Sequence, residues 1–233
     1  MKLQKLLLVT LLGCGALQAQ AAVVGLLDNY PSHGYVSAGL SGFGHTVTHL
    51  AALDAASLAG LNAVILGRSD APTADLTAFI AAGGMVITEW SAAAYGMGLL
   101  GGAASDNYGS YITADPVVFS AAGTAAGLGT GLGASYADDG ATEYFQDFTA
   151  LGSGTVYATR NSSGAAAIVG GNYGSGTVWV TGYDWGDSGL SPTFQLISNE
   201  LNAPLGAAAV PEPGSLALVA LALAGVAGLR RRA

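Results

Sequence analysis

A flavodoxin-like, doubly wound α/β fold, with a mostly parallel sheet and an appended late β-hairpin, is predicted for this 233-residue chain. Three observations carry the prediction. Short apolar runs alternate with helix-like stretches through the first half. Those runs end on polar or charged residues. A pair of clearer β runs joined by a Gly-rich turn stands late in the sequence.

In chain order, Val23-Val24-Gly25-Leu26-Leu27 reads as a buried strand ending at Asp28-Asn29, and residues 34–42 read as a helix. The stretch 45–50 alternates and is rich in β-formers, so it is a second strand. Asp54 caps a short helix over 55–59, and Ala63-Val64-Ile65-Leu66 is a third strand ending at Gly67-Arg68-Ser69-Asp70. Thr73 caps a helix over 74–82, which Gly83-Gly84 stop. Met85-Val86-Ile87-Thr88 is a fourth strand, followed by Glu89-Trp90-Ser91. Residues 101–150 are Gly/Ala/Ser-rich and weakly periodic, which predicts a partly irregular excursion with a strand entered at Asp115-Pro116. Strands over 155–159, 166–169 and 177–181 follow, the last two flanking a turn at 172–176, and a helix spans 191–201.

The two ends read as signals rather than as fold. Lys2 and Lys5 precede the apolar run 6–12, and small residues lead to Ala19-Gln20-Ala21. Positive start, short apolar centre and Ala-x-Ala site make a secretory leader, cut before Ala22 by signal peptidase. A rival route is lipidation of Cys14 behind Leu11-Leu12-Gly13. At the other end, Val210-Pro211-Glu212-Pro213 is followed by the apolar run 216–229 and by Arg230-Arg231-Arg232. Such a run would insert as a short helix in the inner membrane, with the arginines cytoplasmic. This tail resembles the PEP-CTERM sorting signal. The resemblance implies recognition by an exosortase, cleavage near Pro211-Glu212-Pro213, and delivery to the surface of bacteria that make extracellular polysaccharide. The expected organisation is therefore a leader (1–21), one α/β domain (22–206) and a sorting tail (207–233).

Composition narrows the partners. Between the signals only Arg68 and Arg160 are basic, against fourteen acidic residues, a net charge of −12. Such a surface repels nucleic acid and anionic lipid. Cys14 is the only cysteine, so the domain has no disulfide, thiolate metal site or cysteine nucleophile.

Three stretches together resemble the class I glutamine amidotransferase-like superfamily, in particular members related to trehalose-utilisation proteins. They are the opening strand and turn at 23–34, the strand 85–88 with the sharp turn at Glu89, and the late segment 166–184. The family's nucleophilic cysteine elbow is replaced here by Glu89-Trp90-Ser91-Ala92-Ala93. Its late histidine is replaced by Tyr183-Asp184-Trp185. The resemblance therefore implies the fold and argues against glutamine hydrolysis.

Ligands in doubly wound folds sit at the carboxyl ends of the strands. That rule selects Asp28, His33, Arg68, Asp70, Glu89, Trp90, Asp184, Trp185 and Asp187 as binding residues. Carboxylates beside aromatic rings suit sugar hydroxyls and sugar faces. Glu89 with Asp184 would also serve as an acid/base pair, and Ser91 with His33 and Asp184 as a hydrolytic set, although Ser91 reads first as a helix cap. His45 and His49 lie four apart on a strand, about 13 Å by strand rise and too distant to chelate one metal, which leaves surface or packing roles. Asp138, Asp139, Glu143 and Asp147 offer hard oxygen ligands for calcium, without the spacing of an EF-hand, and no other cofactor is expected. The sequence thus points to an exported surface or matrix protein, non-enzymatic and binding carbohydrate or another small ligand. A hydrolase using carboxylate chemistry and a purely structural matrix component stand as alternatives.

Overall fold

Val, Ile and Leu concentrate in runs of four or five, too short for a stable helix and suited to buried strands. In the computed structural model these runs form β1 (Val23–Leu27), β3 (Ala63–Leu66) and β4 (Met85–Thr88), while the alternating stretch forms the edge strand β2 (Thr46–Leu50). Between them lie α1 (His33–Gly42), α2 (Ala55–Leu58) and α3 (Ala74–Ala81). A 3-10 turn, Trp90–Ala92, leads from β4 into α4 (Ala93–Leu99). The structure describes residues 21–27, 33–67, 70–106, 115–137, 146–182, 191–203 and 205.

Local signals act as the sequence predicts. Asp54 Oδ1 accepts from Ser57 N–H at 2.8 Å, and Thr73 Oγ1 accepts from Leu76 N–H at 3.1 Å. Each satisfies a donor that a helix start leaves orphaned.

The stretch 101–150 holds more regular structure than its composition suggests. Its described parts contain β5 (Ala103–Asp106), β6 (Val117–Phe119), α5 (Ala121–Ala125), β7 (Ser135–Tyr136) and β8 (Gln146–Ala150). These elements are two to five residues long, too short to produce a periodic signal in an Ala/Gly background. Then come β9 (Thr155–Arg160), β10 (Ala166–Tyr173), β11 (Gly176–Thr181) and α6 (Ser191–Leu201).

Nine strands form one sheet in the order β2-β1-β3-β4-β11-β10-β9-β6-β7, while β5 and β8 pair separately. The first five are parallel. Their order is the flavodoxin-like one, with β11 in the fifth place. From β11 onward neighbours are antiparallel. The hairpin is therefore more than an appendage, because its second strand completes the parallel sheet and its first carries three further strands. β10 runs to Tyr173, so the turn tightens to Gly174-Ser175, with Gly174 at φ +60°, a conformation that favours glycine.

Core packs on both faces, as double winding requires. On one, α1 and α6 bury Val36, Leu40, Phe194 and Ile197 against Leu26, Ile65, Ile87 and Trp179. On the other, α2, α3 and α4 bury Leu58, Leu76, Ile80 and Met97 against Val64, Leu66, Val86 and Val178. Adjacent residues of β3 and β4 alternate between these clusters, the period-two pattern of a sheet covered on both sides.

Candidate functional site

The carboxyl ends of β3 and β4 meet at one point. Glu89 N–H donates to Leu66 O at 3.1 Å, which sets the first residue after β4 beside the last of β3. There the chain of β3 turns back on itself. Asp70 N–H donates to Gly67 O at 3.1 Å, and Gly67 N–H donates to Asp70 Oδ2 at 2.7 Å. Asp70 is buried, and its second oxygen, Oδ1, has no hydrogen-bond partner. Glu89 is buried as well, at 2% exposure. Two carboxylates thus sit out of bulk water at neighbouring strand ends.

Trp90 follows Glu89 with φ +44°, the only non-glycine at positive φ among the described residues. For a bulky side chain this is an outlier, at a penalty of about 1–3 kcal/mol. The turn is held from below. Thr181 Oγ1 donates to Thr88 O, tying β11 to β4, and Gly96 of α4 lies so close that a Cβ there would come within 2.8 Å of Val180. Trp90 is half-buried and Ser91 exposed. Ser91 lies inside the 3-10 turn, and α4 begins after Ala92, so Ser91 is not the helix cap that its position suggests. The extra turn between strand and helix displaces the cap by one residue.

The structure therefore brings together Asp70, Glu89 and Trp90 of the predicted binding set. Asp28, Arg68, Asp184, Trp185 and Asp187 lie outside the described residues, and of His33 only its place at the start of α1 is described. The Ser91–His33–Asp184 and Glu89–Asp184 pairings accordingly extend beyond them too. Of the acidic group, Asp138, Asp139 and Glu143 also lie outside, while Asp147 forms an ion pair with the buried Arg160 at 2.7 Å. Among the described residues no group of three or more His, Cys, Asp or Glu is placed to hold a metal. An apolar surface groove of about 370 Å3, lined by Leu58, Leu61, Ala78 and Phe79, lies between α2 and α3, apart from these carboxylates.

Two buried ionisable groups stand out away from the strand ends. His45 is 5% exposed and packs inside, where burial holds its pKa below the usual value. His49 is exposed, with Nε2 3.2 Å from Ser37 Oγ. Glu200 on α6 is fully buried, and burial pushes its carboxyl up to about 8. Its position inside the last helix is visible in the sequence, but its inward orientation is masked by flanking Asn199 and Asn202.

Residues 209–232 match the PEP-CTERM protein-sorting motif. The motif supports an exported protein, sorted toward the cell surface, with an exosortase as its processing partner. The tail lies outside the described residues, among which no helix is long and apolar enough to cross a membrane. No curated protein matches the chain. Among solved structures, the domain is similar to a candidate GMP synthase component from Thermoplasma acidophilum. That likeness has 11% identity and a TM-score of 0.58, and covers 79% of this chain and 94% of the other. It is also similar to a GH42 β-galactosidase at 13% identity and TM-score 0.50, covering 78% of this chain but only 29% of that enzyme. At such identities the likeness shows the fold alone.

Proposed function

We propose that this is an exosortase-sorted surface or matrix protein whose folded domain is a non-enzymatic binding module for carbohydrate, seated at the carboxyl ends of β3 and β4. The observation that carries the reading is Trp90, strained at φ +44° beside the buried carboxylates of Asp70 and Glu89. Strain of this kind persists where the surrounding structure holds it for a purpose. A half-buried indole offers a flat apolar face to a sugar ring, and the carboxylates accept hydrogen bonds from its hydroxyls. In this reading the segment Glu89-Trp90-Ser91-Ala92-Ala93 stands where amidotransferases carry their nucleophile elbow, and it contains no cysteine. The domain is thus read as a degenerate amidotransferase-like fold with its chemistry removed. In this reading the run 216–229 holds the chain in the inner membrane until cleavage near Pro211-Glu212-Pro213 releases it to the surface, where extracellular polysaccharide is the natural ligand source.

A thermal-shift series on the processed protein tests the binding module. Saturable stabilisation by one class of sugar is expected, reaching about 2.7 kcal/mol at a hundredfold excess over Kd. Trp90→Gly should abolish that shift while leaving the unliganded melting temperature within a few degrees, because glycine relieves the positive φ. A flat response across neutral, amino and acidic sugars overturns the reading in favour of a structural matrix component. Glycoside turnover lost in Glu89→Gln would transfer it to a hydrolase. Sorting is tested separately by the intact mass of protein extracted from the surface. The tail should be missing, and a mass that retains Arg230 to Arg232 rules out exosortase processing.

A further inference from the structure

The chain entering β1 is held at Ala22 and Val23. Ala22 O accepts from Thr46 N–H at 2.9 Å, and Val23 N–H donates to Asn62 Oδ1 at 2.8 Å. Ala22 N–H donates to His45 Nδ1 at 3.2 Å in a buried setting, and His45 Nε2 lies 2.9 Å from Ser198 Oγ on α6. With Nδ1 accepting, Nε2 carries the ring proton and donates to Ser198. His45 is 5% exposed and Ala22 9%, whereas Ala21 is exposed. The change from an exposed residue to a buried one thus falls on the Ala21–Ala22 bond, the bond at which the Ala19-Gln20-Ala21 pattern places leader cleavage.

Hydrolysis of that bond changes the donor. Water's hydroxyl goes to the Ala21 carbonyl carbon, the C–N bond breaks, and Ala22 nitrogen gains a proton to become a primary amine. Its ordinary pKa is about 7.7–8.0, so it is an ammonium at neutral pH. We propose that His45 is the receptor for the α-ammonium created by leader removal, so that a chain cut at Ala22, and at no other residue, closes a charge-assisted link from β1 through His45 to α6. This rests on the leader reading and is independent of the sugar-binding reading.

The surroundings fit. Burial already keeps the His45 ring neutral, and therefore able to accept, and an adjacent ammonium favours the neutral form further. On the packed elements, β1 has no ionisable side chain. α1 carries His33 and the exposed Tyr35, and β2 carries His49, which is exposed and paired with Ser37. On α6, Glu200 lies two residues beyond Ser198, roughly 200° around the helix and hence on another face. The imidazole is then the acceptor the ammonium meets, and the link needs a protonated amine together with a neutral ring. It should operate near pH 7, weaken above about pH 8 as the amine loses its proton, and persist at acid pH until the ring, with its lowered pKa, is protonated.

Three forms of the processed protein decide the matter: one starting at Ala22, the same with its α-amine acetylated, and one extended to Gln20. Acetylation keeps one N–H donor but removes the charge. The free Ala22 form should melt roughly 2–4 °C above both others near pH 7, with the gap closing by about pH 9 as the amine deprotonates. Ser198→Ala, a mild change, should narrow the gap without unfolding the domain, and His45→Phe should abolish it. Equal melting of the free and acetylated forms at pH 7 overturns the proposal. So does an exported protein whose first residue, by amino-terminal sequencing, is Ala21 or a lipidated Cys14.

Discussion

Replacing Glu200 with Gln is expected to remove a loss of stability that this protein suffers as pH rises from about 4.5 to 8. The carboxyl is fully buried on α6, and neither oxygen has a hydrogen-bond partner. Ionising a carboxyl there strips its hydration without replacing it, which is why its pKa rises from 4.5 to about 8. The sign follows from proton counting. Between those two values the folded protein keeps a proton that the unfolded chain releases, so stability falls as pH rises, by about 1.4 kcal/mol per unit. Across the window the loss is on the order of 5 kcal/mol, comparable to the whole stability of a modest domain. Below pH 4.5 wild type and Glu200→Gln should be nearly equal, and at pH 8 the variant should be more stable by several kcal/mol. Glu200→Leu should go further, because an unpartnered buried amide still carries a penalty of about 1–3 kcal/mol. His45, with its lowered pKa, contributes the opposite slope at acid pH. The clean quantity is therefore the difference between wild type and Glu200→Gln in urea unfolding at pH 4.5, 6.5 and 8. A difference independent of pH would show that Glu200 is ionised in the folded state and that burial does not hold its proton.

Trp179→Ala should be the most damaging single truncation in the core. Trp179 is fully buried on β11, the strand that joins the parallel half of the sheet to the antiparallel half. Tyr157 of β9 meets it edge-on, with ring centroids 4.8 Å apart and planes at 75°. Directly opposite on β10 stands Gly170, where a Cβ would come within 2.5 Å of the indole. The absent side chain at 170 makes the room that the indole occupies. Removing the ring leaves a cavity under both halves of the sheet, and the expected loss is about 3–5 kcal/mol, read by denaturant unfolding. Gly170→Ala should destabilise through overpacking by about 1–3 kcal/mol, and combining it with Trp179→Ala should recover part of the double loss, since the new methyl fills vacated space. Trp179→Phe should be far milder, because it keeps a ring and deletes an indole N–H that has no partner. If Trp179→Ala lost less than about 1 kcal/mol, this strand would not be the organising one.

Much of the fold was legible in the sequence because its signals are local. The runs at 63–66 and 85–88 are short, apolar and bounded by polar turns. Asp54 and Thr73 cap helices at the positions where the sequence places them, and the final helix spans the predicted residues. What escaped was whatever depends on distant partners. Nothing local to 176–181 says that this strand inserts beside β4 rather than at an edge, and β5 and β7 are too short to announce themselves, whereas the strand expected after Asp115-Pro116 is present as β6. The candidate site divides in the same way. Asp70, Glu89 and Trp90 follow from the strand-end rule. The positive φ of Trp90 does not, since a bulky residue in a strained conformation is a product of tertiary packing and leaves no trace in residue order. His45 shows a further limit. Alternation places it on a strand, but its role as a buried bridge depends on Ala22 and Ser198, 23 and 153 residues away in sequence.

The point where the domain hands over to its tail gives the molecule a direction. Leu205 N–H donates to Thr177 Oγ1 at 2.9 Å, near the start of β11 and hence at the amino ends of the parallel strands. The sorting motif begins at residue 209, four residues further on and no more than about 14 Å of extended chain away. Asp70, Glu89 and Trp90 lie at the opposite pole, beyond the carboxyl ends of the same strands. A chain held by its tail would therefore stand on its amino pole, with the strand-end face of Asp70, Glu89 and Trp90 turned away from the attachment. With so few residues between Leu205 and the motif, an enzyme that reads the tail would have to work close to the folded body, on the side away from those strand ends.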